Sequence, residues 1–191
     1  MKAEIIRSKR KTVSIQIKPD LSVIVRAPKR MTVREIEKIL KENEQRIKTQ
    51  IEKMRARNEL YDSKNMQPLT FEEIDELADQ ALSYIPKRVE YYAGIIGVTY
   101  GRITIRNQKT RWGSCSSKGN LNFNCLLMLM PPEIIDYVVV HELCHRKEMN
   151  HSKTFWDEVA KVIPDCKEKE KWLKDEGSFI MRRMNTPSIP R

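Results

Sequence analysis

The chain has 191 residues, 40% of them hydrophobic and 32% charged, enough for one soluble domain with a sizeable core or a core domain plus a small accessory module. Its longest apolar run, Leu126 to Met130, falls far short of the roughly 20 residues that span a bilayer, which excludes a membrane-spanning helix. The formal net charge is +10 and unevenly placed: residues 1–66 hold 18 Lys and Arg against 9 Asp and Glu, whereas residues 67–191 hold 18 against 17.

A basic first third of this kind attracts an anionic partner such as nucleic acid, or it is the solvated face of a helix. The N-terminal stretch MKAEIIRSKRKTV carries charge but no apolar core of a signal peptide, so the expected location is the cytoplasm. Cys115, Cys125, Cys144 and Cys166 form no C-x-x-C pair and read as reduced thiols, with Cys144 a small buried residue on a helix.

Residues 4–27 read as a β-hairpin. Val13, Ile15 and Ile17, then Leu21, Val23 and Val25, alternate with polar neighbours around a Pro19-Asp20 turn. Thr32 and Glu35 form a capping box, predicting one long helix to about Leu60 with Val33, Ile36, Leu40, Ile47, Ile51 and Met54 on its apolar stripe. Residues 61–70 read as a linker. A second helix is predicted from Thr70, with Ile74, Leu77, Ala81 and Leu82 inward, kinked or divided at Pro86 and followed by a helix from Lys87 to Ile96 that ends at Gly97.

Then come a strand over Arg102 to Asn107, the loop KTRWGSCSSKGN, and a strand from Leu121 to about Leu127. Pro132 suits the first position of a helix that sends Ile134, Ile135, Val138, Val139 and Leu143 to the core. Residues 153–175 read as two helices divided at Pro164-Asp165, and residues 177–191 as a flexible tail. The expected domains are 1–66, 67–176 and that tail.

The whole chain has three histidines, His141, His145 and His151, all within HELCHRKEMNH. On a helix, residues i and i+4 share a face with Cβ atoms about 5–6 Å apart, so His141 and His145 can converge on one ion. Glu142 is then placed to reach a water at that ion and act as general base. A catalytic zinc needs a third ligand. His151 lies about 9 Å further along an unbroken helix, so the chain must turn first, and Asn150 is the residue that tolerates a left-handed turn. Glu148, Asp157 and Glu158 rank below His151 as alternatives, because imidazole suits zinc. In the loop, Arg111, Trp112 and Ser114 are candidates for holding substrate or an oxyanion; the plain alternative is a tight turn with Trp112 in the core. Lys109, Arg106 and Lys118 can add positive charge nearby, and Phe155 and Trp156 read as core residues behind the metal helix.

Taken together, SKRKTVSIQIKPDLSVIVRAP, TRWGSCSSKGNLNFNCLL and VVVHELCHRKEMNHSKTFW occur in order and resemble the YgjP-like metal-dependent hydrolases. These are also described as an M48-type metallopeptidase family and are similar to the WLM and SprT-like zinc proteases. The resemblance implies an α+β fold: a zincin-like core with the HExxH helix beside a small β-sheet, preceded by the hairpin and the long basic helix. It also implies one zinc on His141, His145 and His151, with Glu142 catalytic. The spacing H-E-x-x-H-x5-H matches the metzincins, but Glu148 stands where they carry glycine and no Met-turn follows.

Three functions remain open at this level. A peptidase comes first. A nucleoside triphosphate pyrophosphatase at the same metal is second, because members of the resembled family are linked to UTP. A nucleic-acid-associated protein acting through residues 1–66 is third; no zinc-finger cysteines or helix-turn-helix pattern support it.

Overall fold

The computed structural model describes residues 3–63 and 67–184. The chain forms two compact units, Met1–Met66 and Gln67–Arg191.

The first unit holds a three-stranded sheet, β1 (Ala3–Ser8), β2 (Ser14–Ile17) and β3 (Val23–Pro28), in the order β1-β3-β2. β2 and β3 make the expected antiparallel hairpin. At its turn Asp20 accepts from the backbone and hydroxyl of Ser22, and Leu21 takes a left-handed φ of 67°. The third strand is a correction to the simple hairpin: β1 pairs parallel with β3, a partnership that adjacent Ile5 and Ile6 do not signal by alternation. Val25, Ala27 and Ile36 form the core of the unit.

Thr32 and Glu35 make the capping box as expected, but the single long helix does not form. α1 (Val33–Glu42) and α2 (Glu44–Ser63) are divided at Asn43, whose side-chain amide donates to the Ile39 carbonyl at 2.8 Å and ends the first helix locally. Ile36 and Ile47 of the expected stripe are buried, whereas Val33 is exposed. α2 runs three residues into the expected linker, and residues 64–66 lie outside those described.

In the second unit Thr70 and Glu73 cap α3 (Phe71–Ile96), which Gly97 ends in the left-handed conformation. Pro86 does not divide it. Proline inside a helix costs about 3 kcal/mol, but Ile74, Leu77, Ala81, Ile85, Val89, Ala93 and Ile96 are all buried along one side. Burial of each large aliphatic among them contributes roughly 1.5–3 kcal/mol, so packing wins. Leu82, expected inward, is 58% exposed.

A second sheet follows, β4 (Ile103–Arg106), β5 (Gly113–Cys115) and β6 (Leu121–Asn124), ordered β4-β6-β5 with β4 parallel and β5 antiparallel to β6. β5 lies within the segment read as a loop. β6 stops at Asn124, and a 3-10 turn over Cys125–Leu129 leads to α4 (Pro132–Cys144). Ile134, Ile135, Val138, Val139 and Leu143 are buried as expected. α5 (Lys153–Val162) and α6 (Cys166–Arg182) complete the unit. α6 passes through Gly177 with Phe179 and Ile180 buried, so the expected tail from 177 is helical to Arg182; residues 185–191 lie outside those described.

α3 and α4 are joined by Arg88, whose guanidinium donates twice to Asp136 at 2.7 Å, with the Tyr92 hydroxyl on the same carboxylate at 3.1 Å. Asp136→Ala should lower unfolding free energy by about 1.5–3 kcal/mol in denaturant titration, because a half-buried guanidinium loses a bidentate partner.

Candidate metal centre

Helical spacing puts His141 and Glu142 in the last turn of α4 and His145 at its cap, still with helical φ of −62°. The chain then leaves the helix through a tight turn. Arg146 N–H bonds the Leu143 carbonyl, and Lys147 and Glu148 N–H both bond the Cys144 carbonyl. Asn150 is not left-handed: Leu21 is the one non-glycine residue of positive φ among those described. The return is made by those turn bonds and by Ser152, whose hydroxyl caps α5.

That turn carries His151 back to the other two. The ligand-bearing atoms of His141, His145 and His151 lie within 4.8 Å of one another. His141 Nε2 and His151 Nε2 are 3.0 Å apart. His145 Nδ1 donates to the Glu148 carbonyl at 3.1 Å, which leaves its Nε2 as a lone-pair donor. Phe155, fully buried, stacks on the His145 ring at 4.6 Å between centroids and meets His141 and His151 edge-on. It buttresses all three rings, as a core residue would; Trp156 is partly buried beside His141 and His151.

Burial, then the neighbouring His145 and His151, hold His141 down to about 3, and burial lowers His145 as well. Both are therefore neutral at physiological pH, the form that binds metal. Two ring nitrogens facing each other can share only one proton, whereas a divalent cation satisfies both lone pairs. The donor set fits zinc: three imidazoles without a carboxylate. Two of the three alternative ligands are engaged elsewhere. Glu158 pairs with Lys147 and Lys161, and the Glu148 carboxylate accepts from the Asn150 N–H.

Glu142 is 6% exposed, and burial pushes its carboxyl up to about 8 against the opposing pull of Arg111. Its side chain lies directly on β5. A Cβ built on Gly113 would fall 2.6 Å from Glu142 Oε1 and 2.7 Å from its Cγ. Glycine is thus required at 113 by a close approach that nothing in the local sequence announces.

Strand alternation then sorts the loop candidates. Gly113 faces Glu142, so the next residue, Ser114, turns to the other face, where its hydroxyl accepts from Asn122 at 3.1 Å. Ser114, a candidate for holding substrate or an oxyanion, does not line the cavity at the site. Arg111 and Trp112 do line it. They are held by Asn124, a residue sequence reasoning passed over. Asn124 is 1% exposed, donates to the Gln108 and Arg111 carbonyls and accepts from the Leu126 N–H, while its own N–H bonds the Trp112 carbonyl. Asn124 falls on the polar phase of LNFN, so strand alternation carries no signal of its burial. Lys109 also lines the cavity; Arg106 and Lys118 are exposed and do not.

The cavity holds about 570 Å³ and lies between the 109–113 segment, α4 and α6, with His141 and Glu142 in its wall. A buried carboxyl, neutral imidazoles at His141 and His145 and an adjoining concave space form an arrangement suited to hydrolysis.

No curated protein matches the chain. Among solved structures it is similar to the metallopeptidase zymogen abylysin of Pyrococcus abyssi, at 28% identity over 48% of this chain and 93% of that one, with a TM-score of 0.45. It is also similar to the metallopeptidase zymogen jannalysin of Methanocaldococcus jannaschii, at 23% identity over 48% and 95%, with a TM-score of 0.43. The family model of the YgjP-like metallopeptidase domain matches residues 11–75 and 72–176, well over half of the sequence. The chain therefore belongs to the YgjP-like metallopeptidase family and is a metal-dependent hydrolase.

Proposed function

We propose that this protein is a zinc-dependent peptidase in which His141, His145 and His151 hold the ion, Glu142 is the general base and Arg111 stabilises the oxyanion. The observation that carries the reading is the convergence of three imidazoles beside a buried carboxyl that opens on a cavity. Bound there, zinc would supply Lewis acidity toward a peptide carbonyl and toward water. Glu142 takes the proton of the attacking water and returns it to the leaving amine. Burial raises the affinity of its carboxylate for that proton. Arg111, in the wall of the same cavity, offers a planar pair of donors to the developing oxyanion. Trp112 supplies apolar wall for the substrate. The four free thiols support a reducing compartment, the cytoplasm.

The decisive test is metal analysis of the reconstituted protein, followed by hydrolysis assays on unfolded proteins, peptides and nucleoside triphosphates. The expected result is one zinc per chain and turnover of peptides. Absence of bound metal, or turnover of nucleotides alone, overturns the peptidase reading. Arg111→Lys is expected to keep the metal and to lower kcat/KM by about 10²-fold, because lysine keeps the charge but not the fork. A loss below about threefold would assign Arg111 a general field effect instead.

A further inference from the structure

The cavity beside Glu142 has a chemically divided lining. Trp112, Tyr137, Val138, Leu173 and Met181 make an apolar interior. Lys109, Arg111, Lys174 and Arg182 stand around it, against Glu170 and the general base Glu142. Lys174 and Glu170 bond each other at 2.6 Å, so that pair adds no net charge. The remaining lining is cationic, and Lys109 and Arg111 sit on the segment that Asn124 anchors through the Gln108 and Arg111 carbonyls. Their charge is therefore carried on a braced loop, not on a free one.

We propose that this cavity is a specificity subsite for an acidic residue: it takes a substrate side chain with an apolar stem and a terminal carboxylate, glutamate above all. The inference rests on the peptidase reading and names its substrate preference. The stem of glutamate lies along Trp112, Val138 and Leu173 while its carboxylate reaches Lys109, which leaves Arg111 to the oxyanion. A lysine side chain would bring a cation against Lys109, and a leucine would offer Lys109 no anion. Opposed charges at such a mouth act on encounter as well as on binding, and like charges reject the wrong substrate.

The test uses the full zinc-loaded chain and one peptide varied at the residue beside its scissile bond, with Glu, Gln, Leu or Lys. The expected kcat/KM for Glu exceeds that for Lys by roughly tenfold at low salt, with Gln between, and the gap narrows as salt screens the rim. Lys109→Glu should leave zinc content unchanged and move the preference toward Lys. Binding of the same peptides to Glu142→Gln protein, followed by calorimetry, gives a readout independent of turnover and should keep the order Glu above Lys. Equal kcat/KM and equal binding for Glu and Lys peptides would overturn the subsite while leaving the peptidase intact. Failure to cleave any peptide overturns the peptidase reading instead; the binding order then still decides the subsite.

Discussion

Glu142→Gln should bind zinc as tightly as the unaltered protein and lose about 10²–10⁴-fold in kcat. The amide has nearly the shape of the carboxyl, so the buried place against β5 stays filled and the three histidines are undisturbed. What it lacks is the ability to take up a proton. Metal content and kcat, measured on the same preparation, separate the two effects. Loss of metal together with activity would make Glu142 a support for the ligands. Equal activity would remove it from the mechanism.

Gly113→Ala is the second large effect, and it comes from the same contact seen from the other side. The added methyl would overlap Glu142 at Oε1, Cγ and Cδ, at 2.6, 2.7 and 2.9 Å. Something must move, and the end of the glutamate side chain moves more easily than the paired strand. A displacement of about 1 Å at a general base costs on the order of 10²-fold in rate. The expected result is a fall in kcat of that order with zinc retained and little change in melting temperature. The double variant Gly113→Ala, Glu142→Gln should be no slower than Glu142→Gln alone, because the glycine acts only through the glutamate. Additive losses in the double variant would mean that Gly113 serves the reaction in another way, and a large fall in melting temperature would make its role structural.

Much of this molecule was legible in its residues because the causes are local. Thr32 with Glu35 and Thr70 with Glu73 announce helix starts, since both partners of each capping box lie within one turn. His141, Glu142 and His145 are placed by helical periodicity, and the third histidine follows from the chain's having no other. Local signals also misled. Asn43 ended a helix that its apolar stripe would have continued, because one side chain bonded one carbonyl. Pro86 failed to end one, because seven buried residues flank it on a common face. Gly177 did not release the C-terminal helix, because α6 packs there against Trp112, 3.2 Å from where a Cβ would stand.

The sequence by itself determined the spacing of the three histidines, the place of Glu142 beside them and the α+β class, all of which rest on periods and residue chemistry that a few neighbours suffice to express. Tertiary structure alone decided which way the 109–113 segment faces. β5 is three residues long, too short for alternation to be read, and it exists because β6 supplies its hydrogen bonds. From that pairing follow the contact of Gly113 with Glu142, the turning away of Ser114, the bracing of Arg111 by Asn124, and the cationic cavity shared with α6. Each joins residues remote in the chain, and the free energy that selects such a contact is set by packing between elements, which no local pattern encodes.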